Sequence, residues 1–225
     1  MDALKRKGRG FVDGVVASGR GEVGSSLGRE VDWTSARHLF NGRLECIENP
    51  LEKGRRLLEQ AIEVDGSHEE ARIYLAFLLG QDGMHLRASQ HFSDVFETSI
   101  DLTNRGHAAM QLGRIFHREG DLRGALRHWR WMSIAGLVEL DSRFALVYFN
   151  IGIAELERGF DDRALDAFQR LFDVHRDSGR PVEDVARLFT DNEDAREIID
   201  GIPGFLARLA ERLPELFDAP ESAAS

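Results

Sequence analysis

The sequence predicts an all-α fold of stacked helical hairpins, and three observations carry that prediction. GMHLRASQHF (83–92), GDLRGALRHW (120–129) and GFDDRALDAF (159–168) share one pattern. In each, a glycine is followed by a small residue five positions on and a large aromatic nine positions on. The sets are Gly83–Ala88–Phe92, Gly120–Ala125–Trp129 and Gly159–Ala164–Phe168. Before each glycine runs a second apolar pattern at helical spacing: Leu75, Ala76 and Leu79; Leu112, Gly113 and Phe116; Tyr148, Ile151 and Gly152. Composition agrees, with only 5 prolines in 225 residues and abundant Leu, Ala, Arg and Glu.

Taken from the N-terminus, residues 1–30 carry seven glycines and no long apolar stripe. They read as a flexible leader with at most one short helix around Ala3 to Val16. The sharper reading is an anchor to a partner or an acidic membrane through Lys5, Arg6, Lys7 and Arg9 with Phe11, Val15 and Val16, although Asp13 interrupts that face. A worn first hairpin starts near residue 35, with Gly42 at the small position, Asn49 at the turn, then Gly54, Leu58 and Ala61. Three clearer hairpins follow. The glycine opening each second helix suits a turn that needs a left-handed backbone. Gly113, Gly152 and Ala76 let the second helix come close, with Ala125 and its equivalents at the crossing and Trp129 and its equivalents filling the next layer. One hairpin cannot bury its apolar face alone, so the hairpins must stack.

This pattern resembles the tetratricopeptide repeat, a helix-turn-helix of roughly 34 residues. The small first-helix positions Gly42, Ala76, Gly113 and Gly152 lie 34, 37 and 39 residues apart. The first spacing is the family period, and the other two imply longer second helices or looser loops. The resemblance covers about residues 35–178 and implies a right-handed α-solenoid. The chain then divides into a leader (1–30), a repeat array (31–180), C-terminal capping helices (181–217) and a disordered tail (218–225). Pro181 opens the first of the capping helices. In PGFLARLAERLPELF, Phe205, Leu206, Leu209, Leu213 and Leu216 form a stripe suited to covering the last repeat.

Catalysis finds no support in the sequence. His85 and His91 fall on different helical faces, His117 and His128 flank a turn, and no further His or Cys joins them at ligand spacing. No phosphate-binding glycine loop follows a strand, and no G-x-S-x-G is present. Paired acids at helix starts are explained by the helix dipole. Cys46 reads as a small residue packed in a helix, and of Trp129 and Trp131 only Trp131 is a surface candidate. No cofactor or metal is expected. A net charge of -10 argues against nucleic acid as partner. The single cysteine is compatible with a cytoplasmic address, no apolar run is long enough to span a bilayer, and membrane contact is expected nowhere but through the leader.

In tetratricopeptide arrays the first helices line a concave groove, and positions 2, 5, 9 and 12 face it. The resemblance therefore implies a partner-binding groove containing Arg43, Ile73, Phe77, His107, Met110, Arg114, His117, Phe149 and Ile153. Such a surface suits an apolar peptide bearing one or two acidic groups. Alternatively, the arginines pair with nearby acids such as Glu119 and the apolar residues pack under the C-terminal helix. The clamp by which some family members grip chaperone tails does not match here: its positions hold Leu39, Arg43, Tyr74, His107 and Gln111. The expected function is a non-enzymatic protein–protein interaction adaptor. The alternatives are a structural subunit of a larger assembly or homo-oligomer, and a sensor closing on a small anionic ligand.

Overall fold

The computed structural model describes residues 33–48 and 52–217. The leader, the turn at Asn49 and the tail lie outside the described residues. Among the described residues every regular element is helical. In order these are α1 (Trp33–Glu48), α2 (Glu52–Val64), α3 (Glu69–Gln81), α4 (His85–Thr98), α5 (Leu102–Arg118), α6 (Leu122–Ile134), the single turn α7 (Leu137–Leu140), α8 (Leu146–Glu157), α9 (Asp161–Asp177), α10 (Val182–Thr190), α11 (Glu193–Asp200) and α12 (Phe205–Arg212). Two short 3-10 turns, Ser142–Ala145 and Pro214–Leu216, complete the set. The chain divides into two compact units, one ending at Val95 and the next beginning at Phe96, within α4.

In the first unit α1 packs along α2, and α2 packs on α3. A methyl group at Gly42 would press into the Leu58 side chain, so the small residue sets the approach of α1 to α2. Ser35, buried at the same junction, donates its hydroxyl to the Ala61 carbonyl at 3.1 Å. On α4, Ala88, Phe92 and Val95 are buried, and Phe92 meets Phe77 of α3 edge-on at 5.4 Å between ring centres.

The second unit repeats this construction with larger plugs. Hairpin α5/α6 closes with the Trp129 indole over Gly113, and hairpin α8/α9 with the Phe168 ring over Gly152; any side chain at either glycine would collide with the ring. Ala125 and Ala164 are fully buried at the crossings. The Trp129 indole N–H donates to the Met110 carbonyl at 3.2 Å, so the one polar atom of the plug is satisfied. Stacking follows because α6 packs against α8.

The three turn glycines, Gly83, Gly120 and Gly159, have φ of 78°, 80° and 75°. After each, the next amide returns to a carbonyl in the last helical turn: Met84 to Leu79, Asp121 to Phe116 and Phe160 to Glu155, at 2.8, 2.9 and 2.8 Å. This is the Schellman closure, which needs a left-handed residue at that point.

The two long repeat spacings have different origins. The extra length of the third copy lies in its first helix, not its second: α5 starts early at Leu102, where the Asp101 carboxylate accepts from the Thr103 and Asn104 amides. The fourth copy does have the looser connection, since α7 and the Ser142–Ala145 turn are inserted ahead of α8.

The C-terminal helices cover the last repeat as expected. Phe189 of α10 stands edge-on to Phe149 at 5.3 Å and to Phe168 at 5.0 Å. Phe205, Leu209, Leu213 and Leu216 are buried. Leu206 corrects the expected stripe, being 47% exposed. It follows buried Phe205 by one residue, a turn of about 100° around the helix, and so faces away. α12 stops at Arg212 before Pro214, and the 3-10 turn beginning at that proline carries Leu216. Arg208 pairs with Asp161 and Asp162, and Arg212 with Asp166, tying α12 to α9.

Candidate partner-binding face

In the second unit α5 touches α8 through the anticipated positions Met110 and His117, which meet Asn150 and Glu157 rather than the anticipated positions of α8. Two side-chain contacts join the helices. The Asn150 amide donates to the Met110 sulfur at 3.3 Å, and His117 pairs with the Glu157 carboxylate. His117 also lies against the Trp129 indole, 5.7 Å between centres.

Between Met110 and His117 stands Arg114. It is exposed and has no ion-pair partner among the described residues, Glu119 included. Partial desolvation of its guanidinium against the helix surface, and then the like charge of Arg118, hold its pKa below the ordinary value. His107, one turn before Met110, is half-buried with its ring 5.1 Å from Phe144. Burial lowers its pKa first and Arg143 next, against the opposing pull of Asp141 and Asp101.

The equivalent α8 positions differ. Phe149 and Ile153 are 5% and 7% exposed, and Phe189 covers Phe149. Leu146, which opens α8 one turn before Phe149, is 43% exposed.

In the first unit Arg43 is already engaged. It donates to the Tyr74 hydroxyl at 2.9 Å, lies 4.5 Å above that ring, and approaches the Glu70 carboxylate to 3.3 Å. Ile73 is buried and Phe77 half-buried against Phe92. Cys46 is half-buried; burial, then the charge of Glu45, push its thiol up to about 11, so it is no nucleophile at neutral pH. Trp131 is not an open stacking platform. It is half-buried, edge-on to Phe96 at 4.8 Å, with the Arg105 guanidinium 4.7 Å over its ring.

Two participants escaped sequence reasoning. Tyr74 carried no signal, because its neighbour Arg43 lies in a different hairpin. Glu155 did carry one: it is an acid set among apolar residues of α8, short of the helix-end Glu157, and its side chain, 1% exposed, is held by Arg130 and by Arg158 at 3.0 Å.

Among the described residues no group of three or more His, Cys, Asp or Glu could hold a metal ion. No helix among them is long and apolar enough to cross a membrane.

No protein-family model and no curated protein matches the chain. Solved structures do. The MamA protein shares 13% identity at a TM-score of 0.57, over 85% of this chain and 98% of MamA. PilF of Pseudomonas aeruginosa shares 17% at 0.55, over 83% and 86%. YrrB, a tetratricopeptide-repeat protein with an unusual peptide-binding site, shares 18% at 0.53, over 82% and 91%. Glycine-turned hairpins, small-to-aromatic crossings and this likeness agree that the chain has the tetratricopeptide-repeat fold.

Proposed function

We propose that the chain is a non-enzymatic adaptor that holds an acidic, apolar segment of another protein against α5 and the start of α8. One observation carries the reading: Arg114 is an exposed cation without an ion-pair partner among the described residues, in a chain of net charge -10. It lies one helical turn from Met110 and about one turn from His117, so charge and apolar contact form one strip along α5 from His107 to His117. A peptide carboxylate would meet Arg114 in a charge-assisted pair, and its apolar neighbours would cover Met110 and Leu146. Phe149 and Ile153 act from beneath, as the packed floor of α8. In the first unit Arg43, Ile73 and Phe77 offer a second charged and apolar set, in which an incoming carboxylate competes with Glu70. The peptide-binding site of YrrB lends the reading a precedent on the same fold.

Selection of a random-peptide display library on the full chain tests this. The expected result is enrichment of peptides with one or two carboxylates among apolar residues, lost on Arg114→Glu. Enrichment without carboxylates, or the same peptides on Arg114→Glu, would overturn it.

A further inference from the structure

A concavity of about 330 Å³ opens in the second unit between α6, α8 and α9. It shares no lining residue with the strip on α5. Its charges do not balance. The buried Glu155 carboxylate meets two guanidinium groups, Arg130 and Arg158. Asp166 on the rim is met by Arg212. Arg163 and Arg170, two helical turns apart on α9, line the same cleft with no carboxylate partner among the described residues. Arg163 is nonetheless held in place, its guanidinium 4.6 Å over the Phe160 ring, which also carries Arg158 at 4.8 Å. The cleft therefore keeps a surplus of positive charge, and on Arg163 that charge is already held in place, so less of its conformational entropy remains to be lost on binding. Ser133 and Tyr148 share a hydrogen bond of 3.0 Å at its wall, which leaves hydroxyl capacity for a further acceptor. Ile134, Ile151 and Ala167 supply apolar surface.

We infer that this cleft binds a small organic anion, a carboxylate or phosphate on a short apolar body, with Arg163 and Arg170 taking the charge. The volume falls at the lower end of small-molecule sites. Glu155 acts as a positioning residue: it fixes Arg130 and Arg158 and leaves the α9 arginines to the ligand.

The test is an amide NMR titration of the full chain with phenyl phosphate and phenylacetate, with benzyl alcohol as the uncharged probe. An acetylated, amidated Leu-Glu-Leu peptide tests an acidic protein side chain as the occupant. The expected result is saturable shifts at Ser133, Ile151 and Ala167 with the anions and none with the alcohol. The double variant Arg163→Glu/Arg170→Glu should weaken binding by about tenfold or more, since it removes both charge-assisted contacts and sets like charges against the anion. Arg163→Gln/Arg170→Gln provides the same loss should charge reversal disturb the fold. Arg114→Glu should leave these shifts unchanged, which separates this cleft from the strip on α5. Equal shifts with benzyl alcohol, unsaturable shifts, wild-type affinity in the Gln variant, or tighter binding of the peptide than of either small anion would each overturn the inference.

Discussion

Met110 and Arg114 occupy the same register positions on α5 that Phe149 and Ile153 occupy on α8, yet their surroundings are opposite. Arg114 is open and Met110 half-open, whereas Phe149 and Ile153 are buried. The register dictates which way a first-helix residue points. Whether it meets solvent depends on what comes next in the chain. After α9 the next elements are capping helices, and Phe189 is laid onto Phe149. Phe149 and Ile153 are therefore core where their α5 counterparts Met110 and Arg114 still meet solvent.

The comparison rests on both hairpins sharing a register, so the strongest test strikes the crossing itself. Ala125→Glu and Ala164→Glu each put a charge and added volume where no space exists. Each should cost more than about 4 kcal/mol or prevent folding, read by urea denaturation followed by circular dichroism. Wild-type stability in either would remove the shared register.

Next, Phe149→Ala should cost about 3–5 kcal/mol, as a core aromatic does, while Met110→Ala should cost clearly less because part of its surface is already wet. Equal losses would mean that the two positions do not differ in cover.

Histidines sharpen the same divide. His128 is buried with its Nδ1 2.9 Å from the Gly124 carbonyl, its ring stacked on Phe116 and edge-on to Phe96. Burial lowers its pKa against the partial support of Gly124, with Arg127 lowering it further and Asp121 opposing; His175 is lowered by burial and Arg180, with Asp184 opposing. A histidine with a depressed folded pKa favours the neutral form. Its stabilising contribution is complete above the unfolded value of about 6.5 and is lost as pH falls through the folded value. Unfolding free energy should therefore decline between pH 7 and 5, and His128→Phe should flatten that decline. A rise in stability towards pH 5 would contradict the sign. Smallest of all, Arg127→Glu on the exposed face of α6 should change stability by less than about 0.5 kcal/mol.

Much of this was legible because the signals are local. Gly120, Ala125 and Trp129 are fixed by offsets within one hairpin, and the left-handed turn and the buried crossing both follow from them. What the sequence concealed lies in contacts between hairpins. The early start of α5 at Leu102 and the inserted turn of α7 gave the same symptom, a long spacing, from different causes. Arg43 looked like an available groove cation until Tyr74 and Glu70, from the next hairpin, were found against it. Arg114 looked the same in sequence and has no ion-pair partner among the described residues. Nothing in either residue's own helix separates the two cases, because ion pairing depends on what the facing helix presents.

That contrast between an open α5 and a covered α8 is tested most directly by binding kinetics, measured by surface plasmon resonance with a carboxylate-bearing apolar peptide over a range of salt. Arg114→Glu should slow association and reverse its salt dependence, since a steering attraction becomes a repulsion, while Ile153→Val, a change beneath the surface, should leave both rate constants near wild type. Unchanged association for Arg114→Glu, together with a large loss for Ile153→Val, would place the partner on α8 and contradict the open face assigned to α5.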